Sequence, residues 1–300
     1  MCRFFCNFAP SNTKKMILYP NCKINLGLRV VRKRPDGYHD LETIFVPIYG
    51  LHDELEVTKG DYSFVQEGIA VDCAAEDNLI IKCYQNFAKK YPKVGEVAIR
   101  FKKNIPFGAG LGGGSSDAAH MAIALNELFE LGLSKAQLAQ EVSVLGADCA
   151  FFIYNTPCYA EGIGDKLTPI DLDLLGTRIV LIKPNEGVST REAYGGIQIK
   201  DDGQRTMDKN VSADYIAEHN ELFVNDFETT VFPHHLIIAE IKKRLLDAGA
   251  YYASMSGSGS TVFGLFKNDP EGRTDAKLRA LKQEFASMVL LDDSFGEWKA

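Results

Sequence analysis

At 300 residues, with 46% apolar and 24% charged residues, the chain has the make-up of an ordinary globular protein that buries one large core or two modest ones. A formal net charge of −7 argues against nucleic acid as a partner, since gripping a phosphate backbone needs a basic face, and no apolar run approaches a membrane span. Seven scattered cysteines, odd in number and without a C-x-x-C pair, read as buried thiols of a reducing cytoplasm and make a structural zinc site or a disulfide framework a poor reading.

Residues 1–15 lack both the basic start and the apolar stretch of a signal peptide and are expected to form a disordered tail outside the fold. A strand is predicted from Ile17 through Pro20 to Val30, then turn chemistry at Arg34-Pro35-Asp36-Gly37, then strands at Thr43–Ile48 and Asp53–Thr58. A helix opens at Asn78 and lasts to about Tyr91. Val97, Ile99 and Phe101 then alternate with Ala98, Arg100 and Lys102, the pattern of a strand with one wet face. Helices follow over Ala118–Leu131 and from an N-capping Ser134, and the apolar run Ala147–Tyr154 reads as a strand. Asp171–Leu175 is the expected junction, after which Arg178–Ile182 is a strand and 200–214 a polar, mobile loop. A helix over His234–Leu246 is closed by Gly249. Tyr251–Met255 and Thr261–Phe266 pair as strands around Ser256-Gly257-Ser258-Gly259-Ser260, and a last helix covers Asp275–Met288. Helices and strands mix without a regular βαβ period, which predicts an α+β protein in two lobes.

The most informative stretch is Pro106-Phe107-Gly108-Ala109-Gly110-Leu111-Gly112-Gly113-Gly114-Ser115-Ser116-Asp117, which runs straight into an alanine-rich helix. Glycines leave backbone N–H groups uncovered, and the helix start adds about half a positive charge aimed at the same point, so the segment is built to hold an anion. It is not a Walker A loop, because no lysine follows the last glycine. Gly108, Gly110 and Gly113 match a dinucleotide fingerprint, yet the preceding strand has a polar face where a Rossmann first strand is apolar on both. A flexible linker would not feed directly into an apolar helix. An ATP cradle of backbone amides is the favoured reading over these alternatives.

Three motifs occur in the order found in GHMP small-molecule kinases: Pro20-Asn21-Cys22-Lys23-Ile24-Asn25-Leu26, the glycine loop, and Ser256 to Ser260. The chain resembles that family from about residue 17 to about residue 266. Asp36-Gly37-Tyr38-His39, Glu76-Asp77-Asn78-Leu79-Ile80, Leu145-Gly146-Ala147-Asp148 and Asn225-Asp226-Phe227-Glu228 resemble the branch whose acceptor is a cytidine diphosphate-linked methylerythritol. The resemblance implies a two-lobed fold, with a ribosomal protein S5 domain 2-like lobe over residues 16–172 and a ferredoxin-like lobe over 173–300. It implies phosphoryl transfer from ATP, with Mg²⁺, to a hydroxyl of a small molecule, by a monomer or weak homodimer without nucleic-acid or membrane partners.

The resemblance also assigns roles. Asp148 takes the hydroxyl proton; as a lone residue it reads equally as a turn aspartate. Lys23 keeps that base ionised and steadies the hydroxyl; a snorkelling surface lysine is the plainer alternative. Asn25, two residues on and hence on the same strand face, contacts substrate. Pro106, Phe107, Gly108, Ala109, Gly110, Leu111, Gly112, Gly113, Gly114, Ser115 and Ser116 surround the nucleotide, although both serines are also suited to capping the helix. Tyr38, His39 and Tyr194 belong to the cytidine end, with His39 hydrogen-bonding the base and Tyr194 stacking on it. Gly257, Ser258 and Gly259 lie between ATP and acceptor. Cys22 stands where alanine is common in the family, and Asp117 where some relatives carry asparagine. A carboxylate at Asp117 would repel phosphates unless it faces a cation.

Overall fold

The computed structural model describes residues 14–70, 77–199, 210–267 and 273–296. In chain order its strands and helices are β1 (Lys15–Leu18), β2 (Asn21–Lys33), β3 (His39–His52), β4 (Glu54–Lys59), β5 (Ser63–Gly68), α1 (Leu79–Lys90), β6 (Val97–Lys103), α2 (Gly113–Leu128), α3 (Lys135–Ser143), α4 (Cys149–Tyr154), β7 (Cys158–Glu161), β8 (Lys166–Pro169) and β9 (Asp171–Asp173). There follow β10 (Arg178–Ile182), α5 (Thr190–Tyr194), β11 (Asn210–Ser212), α6 (Ala213–Glu218), α7 (Glu228–Val231), α8 (Leu236–Asp247), β12 (Tyr252–Met255), β13 (Val262–Phe266), α9 (Arg273–Glu284) and β14 (Val289–Ser294). The mixture is α+β, as the irregular alternation of elements predicts.

Three four-stranded sheets carry the fold, in the orders β1-β4-β6-β5, β2-β3-β7-β8 and β12-β13-β10-β14, and β9 pairs in parallel with β11. The first sheet turns Leu55, Val57, Val97, Ile99 and Phe101 onto α1 and α2. Helix α2 is buried nearly all round, which its run of Ala118, Ala119, Ala122 and Ala124 permits, because small side chains let neighbouring elements approach on every side. The third sheet buries Val180, Ile182, Ala253, Val262 and Phe266 against α8 and α9. Asn78 caps α1 by accepting from the Ile80 amide, and Ser134 caps α3 in a reciprocal capping box with Gln137.

Several expectations change. The strand expected from Ile17 to Val30 is two strands in different sheets, split at Tyr19-Pro20. The run expected as a strand at Ala147–Tyr154 contains α4 instead; Phe151, Phe152 and Ile153 are all buried, and a short run buried on every side carries no period to separate helix from strand. The expected junction at Asp171–Leu175 contains β9. Residues 1–13 of the expected tail and 200–209 of the expected loop lie outside the described residues, while Lys15 already belongs to β1 and Asn210–Ser212 to β11. Cys22, Cys83, Cys149 and Cys158 are free and buried, and burial pushes the Cys149 and Cys158 thiols up to about 12, which makes them poor nucleophiles.

The alternation of β6 continues past Phe101 and sets Lys103 on the buried face, 2% exposed. An ammonium there needs partners. Its Nζ lies 2.5 Å from Asp53 Oδ2 and 2.7 Å from Asp117 Oδ2, both buried. Asp53 Oδ1 also accepts the amides of Asn104 (2.6 Å) and Ile105 (2.8 Å), so one carboxyl pins the segment that enters the glycine loop. Asp117 lies on the helix that leaves it. Burial above all, with the neighbouring Asp53, drives the Asp117 carboxyl well above the usual carboxylate range against the pull of Lys103, and its Oδ1 has no hydrogen-bond partner. A proton on Asp117 would balance the charge of the triad. Because the folded chain holds that proton more tightly than the unfolded chain, Asp117 costs stability increasingly as pH rises above about 4. Asp117→Asn is therefore expected to match or exceed the parent in urea-midpoint stability at pH 7 and to lose any advantage toward pH 4. Asp53→Asn, which removes one carboxylate from the buried cluster and loosens its hold on the Asn104 and Ile105 amides, is expected to lose about 3–5 kcal/mol. Equal losses in the two variants would remove the proton from Asp117.

Candidate active site

The glycine loop connects β6 to α2 and packs backbone to backbone against the loop between β12 and β13. Gly110 has φ +75°, and a Cβ there would lie 2.0 Å from the Ser256 carbonyl oxygen. Only glycine allows that approach. Ser256 Oγ donates to the Gly110 carbonyl (2.9 Å) and accepts the Asn25 amide (3.3 Å), so β2, the glycine loop and the second loop meet at one hydroxyl. The Lys23 amide donates to the Leu111 carbonyl at 3.0 Å, and the Thr261 amide to Ala109 at 3.3 Å. Asn225 is fully buried and donates to the carbonyls of Met255 (2.7 Å) and Gly257 (2.8 Å), which fixes the second loop from its other side.

Gly112, the residue before helix α2, lies in the left-handed region, φ +69°, and no side chain caps the helix. The expectation that Ser115 or Ser116 caps this helix is thereby corrected: both lie inside its first turn. The two serines part company. Ser115 lines the cavity described below, whereas Ser116 is fully buried, its carbonyl accepting from His120 Nδ1 at 2.8 Å, so its expected contact with nucleotide has no route in this arrangement. A capless helix start of glycines leaves the first-turn amides uncovered by any side chain, which suits them to anionic oxygens.

These loops wall a cavity of about 440 Å³. Pro106 through Ser115 form one side, and Lys23, Asn25, Asp148, Tyr194, Phe227, Gly257 and Ser258 the others. Lys23 is 4% exposed; its Nζ bonds Asn25 Oδ1 at 2.6 Å, lies 3.4 Å from Asp148 Oδ2 and sits 4.9 Å from the centre of the Phe45 ring. Asn25 is held in turn by its Nδ2 bond to Thr43 Oγ1 at 3.0 Å. Asp148 precedes α4 without bonding its first amides, which leaves the carboxylate turned to Lys23 and the cavity. Like Lys103, Lys23 is an ammonium placed in an apolar setting by strand register, and the partner it finds is, among the described residues, the one acidic side chain on the cavity wall.

On the cavity wall Tyr194 stacks on His39, ring centres 4.6 Å apart and planes 19° from parallel, and meets Phe227 edge-on at 4.7 Å. Burial lowers the proton affinity of His39, with Lys33 acting in the same direction, so its ring favours the neutral form. Tyr38 is 63% exposed and Gly259 lies outside the cavity wall, behind Gly257 and Ser258. Residues not foreseen here are Asn225, Phe227 and Lys103. The first two were visible only as members of a motif; Lys103 was detectable, because it continues the buried series Val97, Ile99, Phe101.

Beside the glycine loop a second, mostly apolar pocket of about 310 Å³ is lined by Asn78, Leu79, Phe101, Phe107, Gly114 and Asp117, among others. Among the described residues no cluster of three or more His, Cys, Asp or Glu is arranged to hold a metal ion, and no helix is long and apolar enough to cross a membrane.

Residues 78–156 match the GHMP kinases N terminal domain and residues 212–287 the GHMP kinases C terminal domain. A protein of Bacteroides thetaiotaomicron named 4-diphosphocytidyl-2-C-methyl-D-erythritol kinase is 48% identical over 269 residues, covering 86% of this chain and 93% of its own. The Porphyromonas gingivalis protein of the same name is 42% identical over 261 residues, covering 85% and 94%. A crystal structure of 4-(cytidine 5'-diphospho)-2C-methyl-D-erythritol kinase superposes with TM-score 0.74 at 28% identity, over 94% of this chain and all (100%) of that one. Homoserine kinase from Cytophaga hutchinsonii, at TM-score 0.68 and 16% identity over 98% and 96% of the two chains, shares the fold. The glycine cradle, the site it walls and these matches together make the chain a member of the GHMP kinase family.

Proposed function

We propose that this chain transfers the γ-phosphoryl group of ATP to the 2-hydroxyl of 4-diphosphocytidyl-2-C-methyl-D-erythritol, a cytoplasmic step in the non-mevalonate synthesis of isoprenoid precursors. The observation that carries the reading is the placement of Asp148, 3.4 Å from the buried Lys23, on the wall of a cavity that the glycine loop also lines. The identity of the acceptor rests on the close relatives and on the aromatic group of His39, Tyr194 and Phe227 at one end of that cavity. The lobe boundary after residue 172 belongs to the same proposal; it accords with the first two sheets drawing on residues 15–169 and the third on 178–294.

The chemistry asked of the protein is positioning and charge stabilisation. First-turn amides of α2 and those of the glycine loop hold the triphosphate. The apolar pocket beside Leu79 and Phe107 suits the purine. Asn25 and Lys23 orient the acceptor hydroxyl, and its oxygen attacks the γ-phosphorus. The new O–P bond forms as the bond to the β-phosphate oxygen breaks; ADP leaves and the hydroxyl proton passes to Asp148. Mg²⁺ would neutralise phosphate charge. Mg²⁺ keeps most of its ligands from phosphate and water, so a site offering the Ser115 hydroxyl and no acidic cluster fits it. Ser115 is the side chain that would hold it.

Asp148→Asn is expected to lower kcat about 10²- to 10⁴-fold while nucleotide affinity, followed by calorimetry, stays within error. Near-native turnover would take the base role from Asp148. Tyr194→Ala is expected to raise KM for the cytidylated acceptor about 5- to 150-fold, the worth of one base–aromatic stack, with kcat less affected. The acceptor itself is tested by ADP release across a panel of small alcohols that includes sugars, homoserine and mevalonate; faster turnover of any of these than of the cytidylated alcohol would overturn the assignment.

A further inference from the structure

We propose that His235 is a positioning residue for the acceptor end of the site, acting as a doubly bonded imidazolium that holds α5, and Tyr194 with it, against the body of the protein. The inference rests on the proposed function, in which Tyr194 meets the pyrimidine. His235 precedes α8 and its ring lies between two carboxylates: Nδ1 is 3.0 Å from Glu186 Oε2 and Nε2 is 2.8 Å from Glu192 Oε1. A neutral imidazole carries one N–H, so only the cation donates to both oxygens at once. The two hydrogen bonds raise the proton affinity of the ring, outweighing its burial. Of the other charged groups on these elements, His234 acts on Glu192, and Glu228 of α7 is turned inward to Lys242 and Ser254.

Each carboxylate belongs to a segment that reaches the site. Glu192 stands two residues before Tyr194 on α5. The carbonyl of Glu186 accepts Ser260 Oγ at 2.6 Å, which joins the same segment to the loop that packs on the glycine cradle. The second side-chain tie on α5 is Thr230 Oγ1 to the Ala193 carbonyl, 2.7 Å. When His235 loses its proton, one of the two carboxylates faces a lone pair, and one of its links is broken. The folded-state proton affinity is raised, so the tie is complete below about pH 6.5 and is lost as pH rises through the higher folded value.

The test is the calorimetric affinity of the acceptor, 4-diphosphocytidyl-2-C-methyl-D-erythritol, between pH 6 and pH 9, since neither its diphosphate diester nor its cytosine titrates in that window. The parent is expected to bind about two- to fivefold more weakly at pH 9 than at pH 6, the range of a partly exposed ion pair. His235→Gln and Glu192→Gln are expected to bind weakly and evenly across the range, with KM for ATP unchanged in both. A flat profile in the parent, or the parent's slope in His235→Gln, would overturn the positioning role. Absence of acceptor binding at every pH, with ATP still bound, would instead overturn the proposed function.

Discussion

The site depends on a contact between two main chains. Gly110 and Ser256 are separated by 146 positions in sequence, yet a single Cβ on the former would overlap the carbonyl of the latter. That approach brings the amide-rich loop and the Ser256–Ser260 loop to the two sides of one cavity. It also threads Asn25 into the same hydrogen-bond network, so that the strand carrying Lys23 is registered against both loops. Asn225 completes the frame by satisfying two carbonyls of the second loop, a task that needs a side chain with two donors on one nitrogen. None of these groups does chemistry. They fix where the chemistry can occur, which is what a phosphoryl transfer, poor in covalent steps, demands of a protein.

An acidic chain that binds triphosphate must manage charge locally. Two ammonium groups lie near the glycine loop, and they are handled differently. Lys23 faces the cavity and keeps one acidic neighbour, Asp148, which is partly exposed. Lys103 is buried against the loop with two carboxyls, an arrangement that would leave an uncompensated negative charge beside the loop were Asp117 ionised. Burial raises the cost of that charge, and a proton removes it. The buried triad then serves as a clasp between the entry and the exit of the loop, since Asp53 holds Asn104 and Ile105 while Asp117 belongs to the first turns of α2.

What could be read in advance followed from local rules. The glycine loop reads as a candidate anion site because glycine content and a helix start are local properties, and the caps at Asn78 and Ser134, which the structure shows, are equally local. Lys23 and Asn25 share a face by strand alternation alone. The failures are tertiary. Tyr19-Pro20 divides one apolar run between two sheets; Pro20 permits the break, but which sheet each half joins is decided by tertiary pairing. The stretch after Asp148 coils because it is surrounded, and surroundings are absent from a sequence window. Ser116 resembles Ser115 in every local respect; the turn of the helix, about 100° per residue, aims one at the cavity and the other at His120. His235 gave no signal, since its meaning comes from two glutamates more than forty positions away.

The acceptor end shows how binding must change the site under the proposed function. His39 and Tyr194 lie 4.6 Å apart, a stacked pair with no space between, and Phe227 occupies the neighbouring side of Tyr194. A third ring inserted between the two would need roughly double that spacing. A pyrimidine that stacks on Tyr194 therefore takes the position His39 now fills, and the displaced imidazole, neutral by burial, keeps one donor and one acceptor for the edge of the base. Exchange of one stack for another costs little, provided that Tyr194 itself stays in place. The rigidity of α5 thus matters more than the resting position of His39. A helix of five residues has too few internal hydrogen bonds to supply that rigidity, and the ties from His235 and Thr230 must do so.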